Sequence, residues 1–198
     1  MEATTGPTKA DLRARVMSAR RVAGPDQRRE AAARATRFLL DLPDLLAARC
    51  VAAYYSIGSE PSTAELLAEL RSRDVRVLLP VLRDDLDLDW AIYDQARPLV
   101  PGGRGLWAPG GDRLGPQAIA DADLVVVPAL AVGRDGTRLG RGGGSYDRAL
   151  ARVPGARPVV TMLYDGELLP DVPAEPHDRR VDVVVLPSGV QRLRPDPG

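Results

Sequence analysis

Residues 123–150 read DLVVVPALAVGRDGTRLGRGGGSYDRAL, and this stretch decides the class of fold. Four consecutive apolar residues, Leu124 to Val127, closed by Pro128, predict a buried strand. A glycine-rich loop carrying Arg138 and Arg141 follows, and a helix is expected from Tyr146 to about Val153. Strand, loop and helix start together suit an anion. Successive glycines let backbone N–H groups converge without interference from Cβ, a helix N-terminus adds partial positive charge, and two guanidinium groups offer forked donors to phosphate oxygens. The loop does not match a Walker A sequence, which needs Lys and then Ser or Thr after its last glycine, whereas Gly144 is followed directly by Ser145. A dinucleotide fingerprint fails too, because Ser145 occupies the place of the third glycine. A plain surface connector is the alternative reading; the upstream strand, the successive glycines 142–144 and Asp147 near the helix start favour a site.

Upstream, Lys9 to Val22 places Leu12, Val16 and Ala19 at helical spacing, with Lys9 and Arg13 four residues apart on one side. Gly24-Pro25 breaks the chain, and Pro25 opens a second helix that runs through Phe38 and Leu39 toward Pro43. Val51 to Ser56 predicts a strand, Ser62-Thr-Ala-Glu65 has the pattern of a capping box opening a helix to about Arg73, and Val75 to Pro80 predicts the next strand. Such a βαβ unit requires parallel pairing. Leu86 to Tyr93 alternates like a half-exposed strand, Arg97 to Gly111 reads as a Pro- and Gly-rich loop holding Trp107, and further strands are expected near 158–163 and 181–186. The fold class is therefore α/β: a single three-layer domain over residues 1–187, with a partly parallel central sheet flanked by helices. Ligands belong at the carboxyl ends of its strands, where the loops Gly58-Ser59-Glu60 and Gly140 to Asp147 both fall. Residues 188–198 are expected to be a disordered Pro-rich tail.

Composition narrows the function. The 198 residues include 27 basic and 27 acidic side chains and are 44% hydrophobic, as in a soluble globular protein. Balanced charge argues against broad nucleic-acid binding. The single cysteine, Cys50, excludes an intramolecular disulfide and reads as a buried structural thiol. One His and one Cys cannot assemble a zinc site, so any metal would be a hard cation on carboxylates, and His177 reads as structural. No targeting signal is evident and no apolar run approaches the ~20 residues that span a bilayer, so a cytoplasmic protein without a membrane partner is expected. Lys9 is the only lysine among the 27 basic residues. A compact ammonium approaches a phosphate as a point charge where a planar guanidinium does not fit; the competing reading is chance survival on a solvated helix face.

The order Arg138-Leu-Gly-Arg-Gly-Gly-Gly-Ser-Tyr-Asp147, preceded by Pro128-Ala-Leu-Ala131, resembles the nucleotide-binding signature of the 5-formyltetrahydrofolate cyclo-ligases, or methenyltetrahydrofolate synthetases. Lys9-Ala-Asp-Leu-Arg13, Tyr54 through Glu60, Trp107-Ala-Pro109 and His177-Asp178 through Asp182 resemble further elements of that family in the same order, so the resemblance covers roughly residues 9–187. It implies a CoA transferase-like α/β architecture and an enzyme using ATP as co-substrate, with Mg²⁺, to convert 5-formyltetrahydrofolate into 5,10-methenyltetrahydrofolate, ADP and phosphate. In that reaction the γ-phosphoryl group passes to the formyl oxygen, N10 attacks the activated carbon and phosphate departs. The protein's part is alignment and charge neutralisation.

The resemblance puts Lys9, Arg138 and Arg141 in catalytic roles. It puts Lys9, Arg13, Arg138, Leu139, Gly140, Arg141, Gly142, Gly143, Gly144, Ser145 and Tyr146 around ATP. Arg13, Tyr55, Glu60, Trp107, Arg141, Gly142, Gly143, Gly144 and Ser145 fall against the folate, Asp147 and Asp178 at Mg²⁺, and the chain is expected to act as a monomer. On the residues alone, Asp147 equally serves a helix dipole, Glu60 and Asp178 a solvated surface, and Trp107 the core. Some positions depart from the family pattern: Ser145 stands in place of an aromatic, Gly143 where some relatives carry Lys, Gly133 where Asp is frequent and Leu186 where Thr is. Two other functions stay open, a non-catalytic folate- or nucleotide-binding module, suggested by Ser145, and an α/β enzyme acting on a sugar phosphate or acyl-CoA. The second has no counterpart for the Lys9 and Arg13 pair.

Overall fold

The apolar run at 124–127 forms a fully buried strand at the middle of a seven-stranded sheet. The computed structural model describes residues 6–176 and 178–193. The chain opens with helices α1 (Lys9–Val22), α2 (Pro25–Leu40) and α3 (Pro43–Leu46), then runs through β1 (Cys50–Ala52), α4 (Ala64–Ser72), β2 (Arg76–Leu82) and β3 (Leu88–Ile92). A hairpin, β4 (Leu99–Gly102) and β5 (Leu106–Pro109), precedes a 3₁₀ segment (Pro116–Asp121) and β6 (Leu124–Val127). The rest comprises β7 (Ala131–Gly133), β8 (Arg138–Leu139), α5 (Ser145–Leu150), β9 (Val159–Met162), β10 (Leu168–Leu169), β11 (Val183–Leu186) and β12 (Gly189–Arg192).

Among the described residues the main sheet has the order β12-β11-β9-β6-β1-β2-β3. Its five inner strands are parallel, while β12 and β3 are antiparallel to their neighbours. Alternate side chains serve opposite faces. Val51, Leu124, Val126, Val183 and Val185 pack with Leu39 of α2 and Leu66, Leu67 and Leu70 of α4. Ala52, Val125, Val127 and Val184 pack with Ile119 of the 3₁₀ segment and Ala149 and Leu150 of α5. These are the three layers. Each such aliphatic side chain contributes about 1.5–3 kcal/mol by burial, so the uninterrupted run at 124–127, apolar on both faces, has its physical reason in this packing. Cys50 lies in the second of these layers, and burial pushes its thiol above the ordinary cysteine value.

From β1 the chain moves outward to β2 and β3, and from β6 outward in the opposite direction to β9 and β11. The crevice between the carboxyl ends of β1 and β6 is therefore a topological switch point, where side chains from two diverging halves of the chain can meet around a ligand. Beside it, β10, β7 and β8 make a small second sheet that packs under α1 through Leu12, Val16, Leu130, Leu139 and Leu169. Arg20 is buried in this region and paired with Glu167 at 2.7 Å.

Several expectations are corrected. The segment expected as a loop around Trp107 is the β4–β5 hairpin, whose register pairs Pro101 with Trp107. Pro and Gly are tolerated there because it is a separate two-stranded ribbon and not a central strand. The capping box expected at Ser62–Glu65 does not close: the N-cap of α4 falls one residue later, on Thr63, whose hydroxyl donates to the Tyr54 carbonyl at 2.8 Å and accepts from the Ser56 N–H at 3.1 Å instead of capping the helix. A capping box forms instead at Thr8, with Asp11 accepting from the Thr8 backbone N–H. Helix α5 ends at Leu150, short of Val153. The tail expected to be disordered from residue 188 contains β12, tied to β11 by a tight turn from Leu186 to Gly189 and to Asp44 by Arg192 at 2.9 Å. Residues 194–198 and His177 lie outside the described residues.

Candidate active site

A cleft of about 550 Å³ opens at this switch point. Lys9, Arg13, Tyr55, Glu60, Trp107, the whole run Arg138–Asp147 and Asp178 line it together, so the residues expected at ATP, folate and Mg²⁺ all border one cleft.

The glycine loop leaves β8 and not β6, with the β7–β8 hairpin intervening. Arg138 sits at its base, 6% exposed, donating from Nη2 to Oδ1 of Asp147 at 2.8 Å and from Nη1 to the Pro128 carbonyl at 3.3 Å, with its guanidinium 5.8 Å from the Tyr146 ring centroid. The loop is thereby clamped at both ends by one side chain. Gly142 and Gly144 have φ of +99° and +67°, values that favour glycine and turn the backbone toward the cleft. Tyr146 is half-buried beneath Arg138, and its hydroxyl is pushed well above the ordinary tyrosine range, first by desolvation and then by the Glu60 charge. It is no base at neutral pH.

Two cross-cleft contacts join distant segments. Arg141, half exposed, pairs with Oε1 of Glu60 at 3.1 Å, while Oε2 of Glu60 accepts from the Ile57 N–H at 2.9 Å. On the other side, the Lys9 ammonium donates to Asp178 at 2.7 Å and Glu175 at 2.9 Å. Burial alone lowers the Lys9 pKa, but the bonds to Asp178 and Glu175 more than offset this and raise it above the lysine value, so Lys9 is a cation here. One turn along α1, Arg13 donates from Nε to the Gly140 carbonyl at 2.9 Å. The fold brings the segment of Asp178 to Asp147: the N–H of Arg179, next to Asp178, donates to Oδ1 of Asp147 at 3.4 Å. Among the described residues no group of three or more acidic, His or Cys side chains is placed to hold a metal ion.

Sequence reasoning passed over Glu175, Tyr54 and Arg104, which also line the cleft, and an apolar wall formed by Leu82, Leu86 and Leu88. The alternation at 86–93 was a signal for Leu86 and Leu88. Glu175 carried none, since its value comes from a contact 166 residues away.

A largely exposed glycine loop, with cations and carboxylates gathered in one cleft at the switch point of the sheet, defines the class: an α/β protein with a charged ligand crevice. Residues 5–187 match the 5-formyltetrahydrofolate cyclo-ligase family, and the chain belongs to it. It is 41% identical over 196 residues to the 5-formyltetrahydrofolate cyclo-ligase of Mycolicibacterium smegmatis, covering 94% of this chain and 98% of that one. It is 30% identical to the Escherichia coli cyclo-ligase over 86% of this chain and 96% of that protein. The NMR structure of Aquifex aeolicus 5,10-methenyltetrahydrofolate synthetase superposes with a TM-score of 0.81 at 30% identity, covering 96% of this chain and 95% of that one.

Proposed function

We propose that this chain is an ATP-dependent 5-formyltetrahydrofolate cyclo-ligase that forms 5,10-methenyltetrahydrofolate. The observation that carries the reading is the meeting, in one cleft of a chain of this family, of Lys9 and Arg13 from α1, the loop Arg138–Tyr146 and Glu60 from the opposite half of the sheet. Lys9, Arg13 and the N–H groups of Gly142, Gly143 and Gly144 hold the triphosphate, and Arg141 offsets charge on the phosphoryl group in transfer. Arg138 acts from behind the loop, by fixing its shape. Glu60 receives the amino-pyrimidine edge of the pterin, with Tyr55, Trp107 and Ser145 on the same ligand; binding must then displace or share its pairing with Arg141. Two carboxylates without a third suit a Mg²⁺ that keeps waters and phosphate oxygens as its other ligands. Asp147 and Asp178 would hold it. Both bonds to Asp147 fall on Oδ1, leaving Oδ2 as the oxygen for a cation. When bound, Mg²⁺ neutralises charge on the transferring phosphoryl group.

No described helix is long and apolar enough to cross a membrane, in keeping with a cytoplasmic site of action. The test is coupling: ADP release from ATP should require 5-formyltetrahydrofolate. Turnover of ATP that ignores the folate would contradict the assignment, and folate binding without ADP formation would favour a binding module.

A further inference from the structure

The cations of the cleft are not equivalent. Lys9 is held by Glu175 and Asp178, Arg13 by the Gly140 carbonyl, Arg138 by Asp147 and Arg141 by Glu60. Arg104 lines the same cleft and, among the described residues, has no hydrogen bond or ion pair. It stands on the turn joining β4 to β5, where Gly103, Arg104 and Gly105 have successive φ values of +31°, +54° and +75°. Two of these three positions are glycine. At the third, a long cationic side chain is kept in a conformation that glycine would adopt at lower cost.

The hairpin that carries Arg104 is anchored. Ala108 of β5 packs with Val81 of β2 and Ala91 of β3, so the turn is mounted over the β2–β3 edge of the sheet. Along the sheet order, this edge is on the far side of β1 from β6, β9 and β11, whereas Lys9 is held by Glu175 and Asp178, which precede β11 in the chain; the glycine loop runs between, its helix α5 reaching the start of β3 through the Arg148 bond to the Leu86 carbonyl. Trp107, 46% exposed, and Leu106 offer apolar surface beside it.

On the cyclo-ligase reading, on which this inference rests, the substrate is long: a flat pterin, an aromatic spacer, then a glutamate with two carboxylates. With the triphosphate at the Lys9 and Arg13 end and the pterin at Glu60, the glutamate is left at the hairpin. We propose that Arg104 is a specificity residue for the folate, binding the carboxylates of its glutamate, with Trp107 and Leu106 supporting the spacer. A guanidinium without an internal partner is suited to this, since it forks onto a carboxylate without first giving up another bond.

The test uses Arg104→Ala and Arg104→Gly, each assayed with 5-formyltetrahydrofolate and with 5-formyltetrahydropteroate, which lacks the glutamate. Arg104→Gly relieves the positive φ and is expected to melt no lower than the parent, so loss of fold is separable. Arg104→Ala should raise KM for 5-formyltetrahydrofolate about fivefold to tenfold, the size of one charge-assisted contact at a partly solvated site, with the effect on KM rather than kcat. On the truncated substrate the parent should lose about the same factor and the variants nothing further. An unchanged KM, an undiminished loss on the truncated substrate, or a rise in KM for ATP instead would overturn the proposal; the last would put Arg104 on phosphate. Equilibrium titration of tryptophan fluorescence with both folates makes the same comparison without turnover. A parent that binds 5-formyltetrahydrofolate through Arg104 but forms no product would leave this inference standing and remove the activity; one that binds no folate would remove both.

Discussion

Replacing Glu167 by Gln leaves a buried guanidinium without its counter-charge. Arg20 is 2% exposed and Glu167 6%, and two bonds of 2.7 Å join Nε and Nη2 of Arg20 to the two carboxylate oxygens. Arg20 Nη2 also donates to the Ala129 carbonyl at 3.0 Å, and the guanidinium lies 5.4 Å from the Tyr164 ring centroid. Burial alone lowers the Arg20 pKa, but Glu167 more than offsets it, so the group stays charged. With Gln in place, the guanidinium keeps an amide oxygen, the Ala129 carbonyl and a ring face but loses its counter-charge, and the amide NH2 takes the place of one acceptor oxygen. Breaking a buried pair from one side costs about 3–5 kcal/mol, a large part of the ~5–15 kcal/mol that stabilises a domain. For a chain of this length the melting temperature should fall by roughly 10 °C. Since Arg20 lies on the helix that carries Lys9 and Arg13, and Ala129 lines the cleft, KM for ATP should rise as well. Urea unfolding of Glu167→Gln, Arg20→Met and the Arg20→Met/Glu167→Leu double variant measures the cost. The double variant should be less destabilised than either single change, because no unpaired charge remains. A Glu167→Gln cost below about 1 kcal/mol, or additive losses in the double variant, would refute the reasoning.

Glu60→Gln should weaken 5-formyltetrahydrofolate binding, measured by calorimetry, and leave ATP affinity near the parent value; loss of ATP affinity alone would mean that the two ligand positions are exchanged. Arg141→Ala should lower kcat about 10²–10³-fold with little change in folate affinity, the usual size of one electrostatic contact to the transferring group, and an unchanged kcat would remove Arg141 from the chemistry. Asp87 accepts from Arg152 at 2.6 Å, and this bond, opposed by burial, holds its carboxyl below the ordinary aspartate value of 3.8. A lowered folded-state pKa gives stability that is present above 3.8 and lost as pH falls through the folded value. In urea titrations the gap between parent and Asp87→Asn should therefore be constant near neutrality and close in acid; a gap independent of pH would contradict the ion pair's role.

What was legible in the sequence was what local physics determines. The helices at Lys9–Val22 and from Pro25 follow from apolar spacing and from Pro at the first helical turn, and the β6 run from burial on both faces. Strands of two or three residues, such as β8 and β10, exist only through pairing with segments far along the chain, Leu168 with Val132 for example, and no local pattern announces them. The start of α4 shows the same competition, since the N-cap falls on Thr63, tied by its hydroxyl to Tyr54 and Ser56, one residue past the Ser62 that the local pattern marks. In the cleft, residue types in motif order located the site. Their pairings were hidden, because Arg141 meets Glu60 across 81 residues and Lys9 meets Asp178 across 169.

The most direct measurement follows the near-ultraviolet absorbance of methenyltetrahydrofolate in a mixture of purified chain, 5-formyltetrahydrofolate, Mg²⁺ and ATP, beside the same mixture without ATP. Growth of that band only when ATP is present, with one ADP released per product formed, is the result expected of a cyclo-ligase. A flat trace from folded protein that still binds both ligands would contradict the account and make Ser145→Tyr the next variant to assay.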